Sequence, residues 1–318
     1  MMKKTKILVH LSLSQMSDAL MKKLQQLAQQ ENVVIELFTC CYNSALHRSY
    51  LFDEKAEKHG VAGFLQQEEQ KLIELSEQLE ASSREVGGEV VISYDVAWHR
   101  NTAEGVIRKA IRYQADLVIS AIGTHPQGHY LFRQGDWQLM AECPVPLLLI
   151  RGQAWSAHPR VAALVDPFHE SDAPKALDHE ILQSACLWGD LLLGELHVAH
   201  SFNTIPQSAI FDEHLTMDYA ALHDKAKAQH TSVLQSLVDE EGLTSAILHL
   251  EEGGVHKVIP EMVQREHIDL LVMGSTARGF LDRFLIGSSV ERIIDHVSCD
   301  ILLVKPPGFI SPVTENSI

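Results

Sequence analysis

The sequence predicts an α/β protein built as two tandem doubly wound (Rossmann-like) five-stranded parallel sheets related by internal duplication. Three observations lead there. Short β-branched or leucine-rich runs alternate with helical periodicity along the chain, the pattern of parallel strands joined by crossover helices. The alternation occurs twice with matching landmarks: Ile7-Leu8-Val9 with Val161-Ala162-Ala163, Ala115-Asp116-Leu117 with Ile268-Asp269-Leu270, and Cys143 with Cys299, at offsets of 154, 153 and 156. Finally, 318 residues suit two units at roughly 100–200 residues per domain.

The strands of the first half are expected at Ile7–Leu11, Val33–Phe38, Val90–Tyr94, Leu117–Ile122 and Leu147–Ile150. Between the first two, Leu20, Leu24, Leu27 and Ala28 fall on one helical face. Leu65, Leu72, Leu75 and Leu79 do so in the next connection, and Val106, Ile107, Ala110 and Ile111 in the third. The second half repeats the plan with strands at Val161–Val165, Glu195–Val198, Ser245–Leu250, Leu270–Met273 and Ile301–Val304. Its third connection carries Val255, Val258, Ile259, Met262 and Val263 at helical spacing. The joint lies near Gly152–Pro159, which divides the chain into residues 1–152 and 153–318.

Composition narrows the function. Hydrophobic residues make up 46% and charged residues 21%, with a mean hydropathy of -0.03, an ordinary globular balance. The formal charge is -16, which repels phosphate backbones at long range and argues against a nucleic-acid partner. Up to Gln153 there are 16 basic and 18 acidic residues, and beyond it 10 and 24, so the second half holds -14 of that charge. Five cysteines without a C-x-x-C pair read as reduced thiols of a cytoplasmic protein. No apolar stretch approaches the roughly 20 residues of a membrane span, and the N-terminal lysines lack the apolar run and cleavage site of a signal peptide.

Ligands on doubly wound sheets bind beyond the carboxyl ends of the strands where the winding reverses, so the loops after the first and fourth strands are the places to look. In the second half the first of these carries Asp166, whose carboxylate can accept from a base or a sugar hydroxyl. The other begins Met273-Gly274-Ser275-Thr276-Ala277 and reaches Gly287-Ser288-Ser289. Its small residues allow backbone N–H groups to approach an anion, although it is no Walker A. Phe280, Leu281, Phe284, Leu285 and Ile286 in the same stretch leave open an apolar or amphipathic metabolite, against ordinary helix packing. His197 and His200 can ligate a metal in principle, but their spacing on a strand end sends them in different directions. Trp98-His99-Arg100-Asn101 can line a polar pocket with His125 and His129, against the simpler reading of a solvated loop.

Gly274 followed thirteen residues later by Gly287-Ser288 resembles the ATP-loop signature of the universal stress protein family, Gly-x2-Gly-x9-Gly followed by Ser or Thr. Asp166, His197-Val198 and the run Asp269 to Gly274 stand where that family would have them. The duplicated length, Asp136-Trp137, Cys143-Pro144, Cys299-Asp300-Ile301-Leu302 and Pro307 resemble its tandem subgroup. The resemblance implies that Asp166 and Val198 meet the base and ribose of an adenine nucleotide such as ATP. It sets Met273, Gly274, Gly287, Ser288 and Ser289 against ribose and phosphates. Ala277 departs from the pattern, standing at its second glycine, where a Cβ costs on the order of 1–2 kcal/mol if positive φ is needed. In the first half Ser12 replaces the loop aspartate, Ser120 to Gly123 leads into His125, Pro126, His129 and Tyr130, and Gly135-Asp136 replaces the Gly-Ser pair, so no nucleotide is expected there.

The resemblance implies a cytoplasmic, non-catalytic module of the stress response that binds a small ligand in its second half and acts through protein partners. No cofactor is required, and no base, nucleophile or metal clamp for rapid phosphoryl transfer is visible. Slow ATP hydrolysis at the same loop is the enzyme alternative. A further expectation is an intramolecular pseudo-dimer, with Leu147–Ile150 and Ile301–Val304 pairing as sheet edges about a pseudo-two-fold axis.

Overall fold

The computed structural model describes residues 4–11, 17–30, 32–47, 54–85, 87–88, 90–122, 134–151, 153–168, 175–203, 219–275 and 288–315. The chain divides into two compact units, with Ala154 ending the main part of the first and Trp155 opening the second. The first contains β1 (Thr5–His10), α1 (Asp18–Ala28), β2 (Val33–Cys41), α2 (Glu54–Glu85), β3 (Val91–Trp98), α3 (Thr102–Tyr113), β4 (Leu117–Ala121), α4 (Gln134–Glu142) and β5 (Leu147–Ile150). Its strands are parallel, in the order β3-β2-β1-β4-β5. In the second unit follow β6 (Arg160–Leu164), α5 (Lys175–Leu192), β7 (Glu195–Phe202), α6 (Tyr219–Glu240), β8 (Ile247–Glu252), α7 (Val255–Arg265), β9 (Leu270–Gly274), α8 (Ser288–Ile294) and β10 (Asp300–Val304). Here the parallel order is β10-β9-β6-β7-β8.

This order follows from right-handed crossovers that move outward from the first strand, return, and move outward on the other side. The first two helices of each unit then cover one face and the last two the other. Strands buried on both faces must be apolar throughout, and Ile7, Leu8, Val9, Val161, Ala162 and Ala163 are at most 1% exposed. The helices bury most of the stripes expected of them, Leu20, Leu24, Leu27 and Ala28 in α1 and Val258, Ile259, Met262 and Val263 in α7, while Leu65, Ile111 and Val255 at the ends of their stripes are only half-buried. The Ser17 side chain caps α1 by accepting from the Leu20 N–H, and Asn101 caps α3 through Glu104 N–H.

The duplication extends to single bonds. Asp116, just before β4, accepts from the Lys6 N–H at 2.9 Å, and Asp269, just before β9, accepts from the Arg160 N–H at 2.9 Å. Each carboxylate thereby fixes where the first strand of its unit begins. Three strands run well past their predicted ends, β3 among them, which continues past Tyr94 to Trp98 alongside β2. β2 continues past Phe38 to Cys41 by pairing with Ala97 and Trp98, and β7 continues past Val198 to Phe202 by pairing with Leu250 to Glu252. Backbone pairing needs no apolar side chains, so Thr39, His200 and Ser201 end the apolar signal before the strand ends.

Candidate functional site

In the second unit the strand order reverses between β6 and β9, whose carboxyl ends lie side by side with Leu164 opposite Met273. Val165 extends the pairing by one residue, donating its N–H to Ala199 O at 3.0 Å. Asp166 follows at once and donates its own N–H to Asp178 Oδ1 of α5 at 3.0 Å. From the other side, Val165 O lies 3.2 Å from His200 Nδ1 of β7. The backbone that presents the Asp166 carboxylate is thus held through groups on both flanks.

The structure brings Asp166, Met273 and Gly274 together at the carboxyl ends of β6 and β9. Met273 is 2% exposed, and Val198 is fully buried in mid-strand opposite Ala163, one layer below the strand ends. Gly274 has a packing duty: a Cβ there would lie 2.5 Å from Leu177 Cδ2 and 3.2 Å from Ile181 Cδ1. Its missing side chain lets α5 close over the end of β9. Next to it, fully buried Ser275 donates its N–H to Val304 O, and its hydroxyl accepts from Lys305 Nζ at 3.0 Å. Ser288 and Ser289 open α8. Ala277 and Gly287 lie outside the described residues, as do Phe280, Leu281, Phe284, Leu285, Ile286, His125 and His129.

His197 and His200 point to opposite faces of β7. Each is buried and hydrogen-bonded to a second histidine: His197 Nδ1 to His249 Nε2 at 2.8 Å, His200 Nε2 to His230 Nδ1 at 2.9 Å. His230 also packs against Phe168 and Phe202, with ring centroids 4.1 and 4.8 Å apart. Burial lowers the pKa values of His200 and His249, and in each case the neighbouring histidine lowers it further. Asp178, Phe168 and His230 are site neighbours that sequence reasoning missed, and it weighed His200 only as a metal ligand. An N–H partner twelve residues along the chain has no motif, and the histidine pair draws its members from a strand and a helix thirty residues apart.

At the equivalent reversal in the first unit the floor is polar. His10 and Ser120 stand opposite each other at the ends of β1 and β4, with His10 Nδ1 3.1 Å from Ser120 Oγ. Burial lowers the His10 pKa to about 4, so the ring is neutral. Thr39 Oγ1 donates to Leu11 O at 3.1 Å, the bond that His200 makes to Val165 O in the second unit. Asn101 is engaged by capping α3 and donates to Gln138 Oε1 at 2.8 Å. Among the described residues no group of three or more His, Cys, Asp or Glu is placed to hold a metal ion, and no helix is long and apolar enough to cross a membrane.

Comparison with known proteins places this architecture. The sequence pattern of the Universal stress protein family matches residues 4–151 and again 165–305. Universal stress protein E of Escherichia coli (strain K12) is 26% identical over 226 residues, which cover 70% of this chain and 71% of that protein. The Haemophilus influenzae homologue of that protein is 25% identical over 222 residues, 69% of this chain and 71% of its own. Among solved structures, a functionally unknown protein from Pseudomonas aeruginosa PAO1 superposes with a TM-score of 0.68 at 22% identity, covering 95% of this chain and 93% of that one. A universal stress protein from Archaeoglobus fulgidus DSM 4304 does so with 0.63 at 15% identity, covering 95% and 98%. Those two likenesses carry the fold. Because the family pattern occupies both halves, this chain belongs to the universal stress protein family as a tandem member.

Proposed function

We propose that the second unit binds an adenine nucleotide across the carboxyl ends of β6 and β9, and that the chain acts in the stress response as a cytoplasmic, non-catalytic module read by protein partners. In this reading Asp166 accepts from the base or ribose, and the backbone from Met273 and Gly274 through Gly287, Ser288 and Ser289 lies along ribose and phosphates. Val198 supports the floor from beneath. The observation that carries the reading is the convergence of Asp166 with Met273 and Gly274 at the reversal of strand order, where open α/β sheets take their ligands. Family membership and the spacing of Gly274 from Gly287-Ser288 support it. The first unit, with His10, Ser120 and no loop aspartate, serves as scaffold or interaction surface.

Thermal melting with ATP, ADP and AMP tests the proposal. A nucleotide at 100 times its dissociation constant stabilises the folded state by about 2.7 kcal/mol, and absence of any shift at millimolar nucleotide would count against it. The variant Ala277→Gly is expected to tighten binding roughly ten-fold if the lost backbone freedom limits affinity. Calorimetry reads that change directly.

A further inference from the structure

The bond between His200 and the Val165 carbonyl has a counterpart in the first unit, where Thr39 makes it with a hydroxyl. A threonine is therefore enough to satisfy that carbonyl. The second unit uses a histidine, and the histidine reaches further. A carbonyl oxygen accepts, so His200 Nδ1 must carry the hydrogen. The neutral ring then has a bare Nε2, and His230 Nδ1, 2.9 Å away, must donate to it. Both rings are thereby fixed as Nδ1–H tautomers. His230, on α6, is enclosed by Phe168 of the loop after β6 and by Phe202 at the end of β7. The His200 ring also stacks on Phe168 with centroids 6.1 Å apart. The same two rings thus grip the segment Val165–Phe168 twice, through a carbonyl and through an aromatic side chain, with Asp166 between the two grips.

We infer that His200 and His230 are positioning residues for Asp166, forming a latch that ties the β6 loop to α6 and that acid opens, which makes nucleotide retention in the second unit sensitive to pH. The inference rests on the nucleotide-binding reading of that unit. Protonation acts in two stages. The pair holds one added proton without losing its shared bond, because one ring can still accept while the other donates. A second proton sets N–H against N–H and separates the rings. Around the pair, Asp166 faces His200 from the loop and favours its charged form. Asp178 of α5 holds the Asp166 N–H, α6 contributes His230, and on β8 the cross-strand neighbour is Leu250. Burial and the charge of His230 oppose the second proton, so the latch stays closed near neutrality and opens below the ordinary histidine range.

Three measurements on the full chain test the latch. Nitrogen-15 NMR of the imidazoles is expected to show Nδ1–H tautomers for both residues at pH 8, and an Nε2–H tautomer on His200 would overturn the assignment. His200→Thr copies the solution of the first unit and should fold with an unchanged circular dichroism spectrum. Amide exchange at Asp166 should nevertheless rise at least ten-fold, ATP should bind about ten-fold more weakly at pH 8, and the histidine step in the pH profile of ATP affinity should vanish. His230→Leu, which keeps an apolar partner for Phe168 and Phe202, is expected to give the same exchange and the same loss of the step. Wild-type exchange rates and pH profile in both variants would mean that the rings do no more than a threonine does, and the inference falls. If wild-type protein binds no ATP, the nucleotide reading fails by itself. The tautomers and the Asp166 exchange then decide the latch without it.

Discussion

At the scale of single residues, the two units solve one packing problem with different chemistry. Under α3, Lys109 of the first unit sits between Glu36 and Asp95, with Nζ 2.8 Å from Asp95 Oδ2 and the Lys109 and Glu36 side chains each 9% exposed. In register, the matching positions of the second unit are His197 and His249. Removing one partner of a buried ion pair strands the other charge and costs roughly 3–5 kcal/mol, whereas an apolar replacement of both can be neutral. Lys109→Met should therefore lower the stability of the first unit by about 3 kcal/mol, and Lys109→Met with Glu36→Val should recover most of it in urea unfolding. His10 carries a pH dependence. Its pKa falls from 6.5 to about 4 on folding, so the unfolded chain binds the proton first. The stability due to its neutral form is complete above pH 6.5 and is lost as pH falls towards 4, at about 1.4 kcal/mol per unit. Denaturant midpoints between pH 7 and 4 should decline less steeply in His10→Asn than in the wild type.

At the scale of elements, the strands most legible in the sequence are those buried on both faces, since Ile7–Val9, Leu117–Ile119 and Leu270–Met273 have no polar residue to interrupt the run. The half-exposed β3 and β8, by contrast, have bounds shifted by several residues from those expected. Strand ends were less legible. Thr39, Cys40 and Cys41 extend β2, and His200, Ser201 and Phe202 extend β7, because cross-strand pairing continues after the hydrophobic pattern has stopped. Gly274 shows why a motif residue can carry two duties. Read as a sequence position, it marks a loop approaching a phosphate, while its Cα also lies under Leu177 and Ile181 of α5. Gly274→Ala is expected to destabilise the second unit by about 1–3 kcal/mol through overpacking, and calorimetric unfolding should find that loss whether or not nucleotide is added. An unchanged melting temperature would mean that α5 yields and that the glycine is kept for its loop alone.

At the scale of the molecule, the duplication was legible because landmarks such as Asp116 and Asp269 have fixed jobs at the start of each sheet. The fold followed from repeating one alternation twice. The candidate site was legible in part. Asp166, Met273 and Gly274 could be placed from the topology, whereas Asp178, His200, His230 and Phe168 hold the site through contacts that no spacing rule contains. The asymmetry of the units, with His10 and Ser120 at one strand reversal and Leu164 and Met273 at the other, is the basis for assigning nucleotide to the second unit alone. A crystal of the full chain grown with ATP tests that assignment most directly. The expected result is one nucleotide per chain in the second unit, its base or ribose against Asp166 and its phosphates towards the loop that ends at Ser288. Nucleotide confined to the first unit, near Gly123–Gly135, would contradict it.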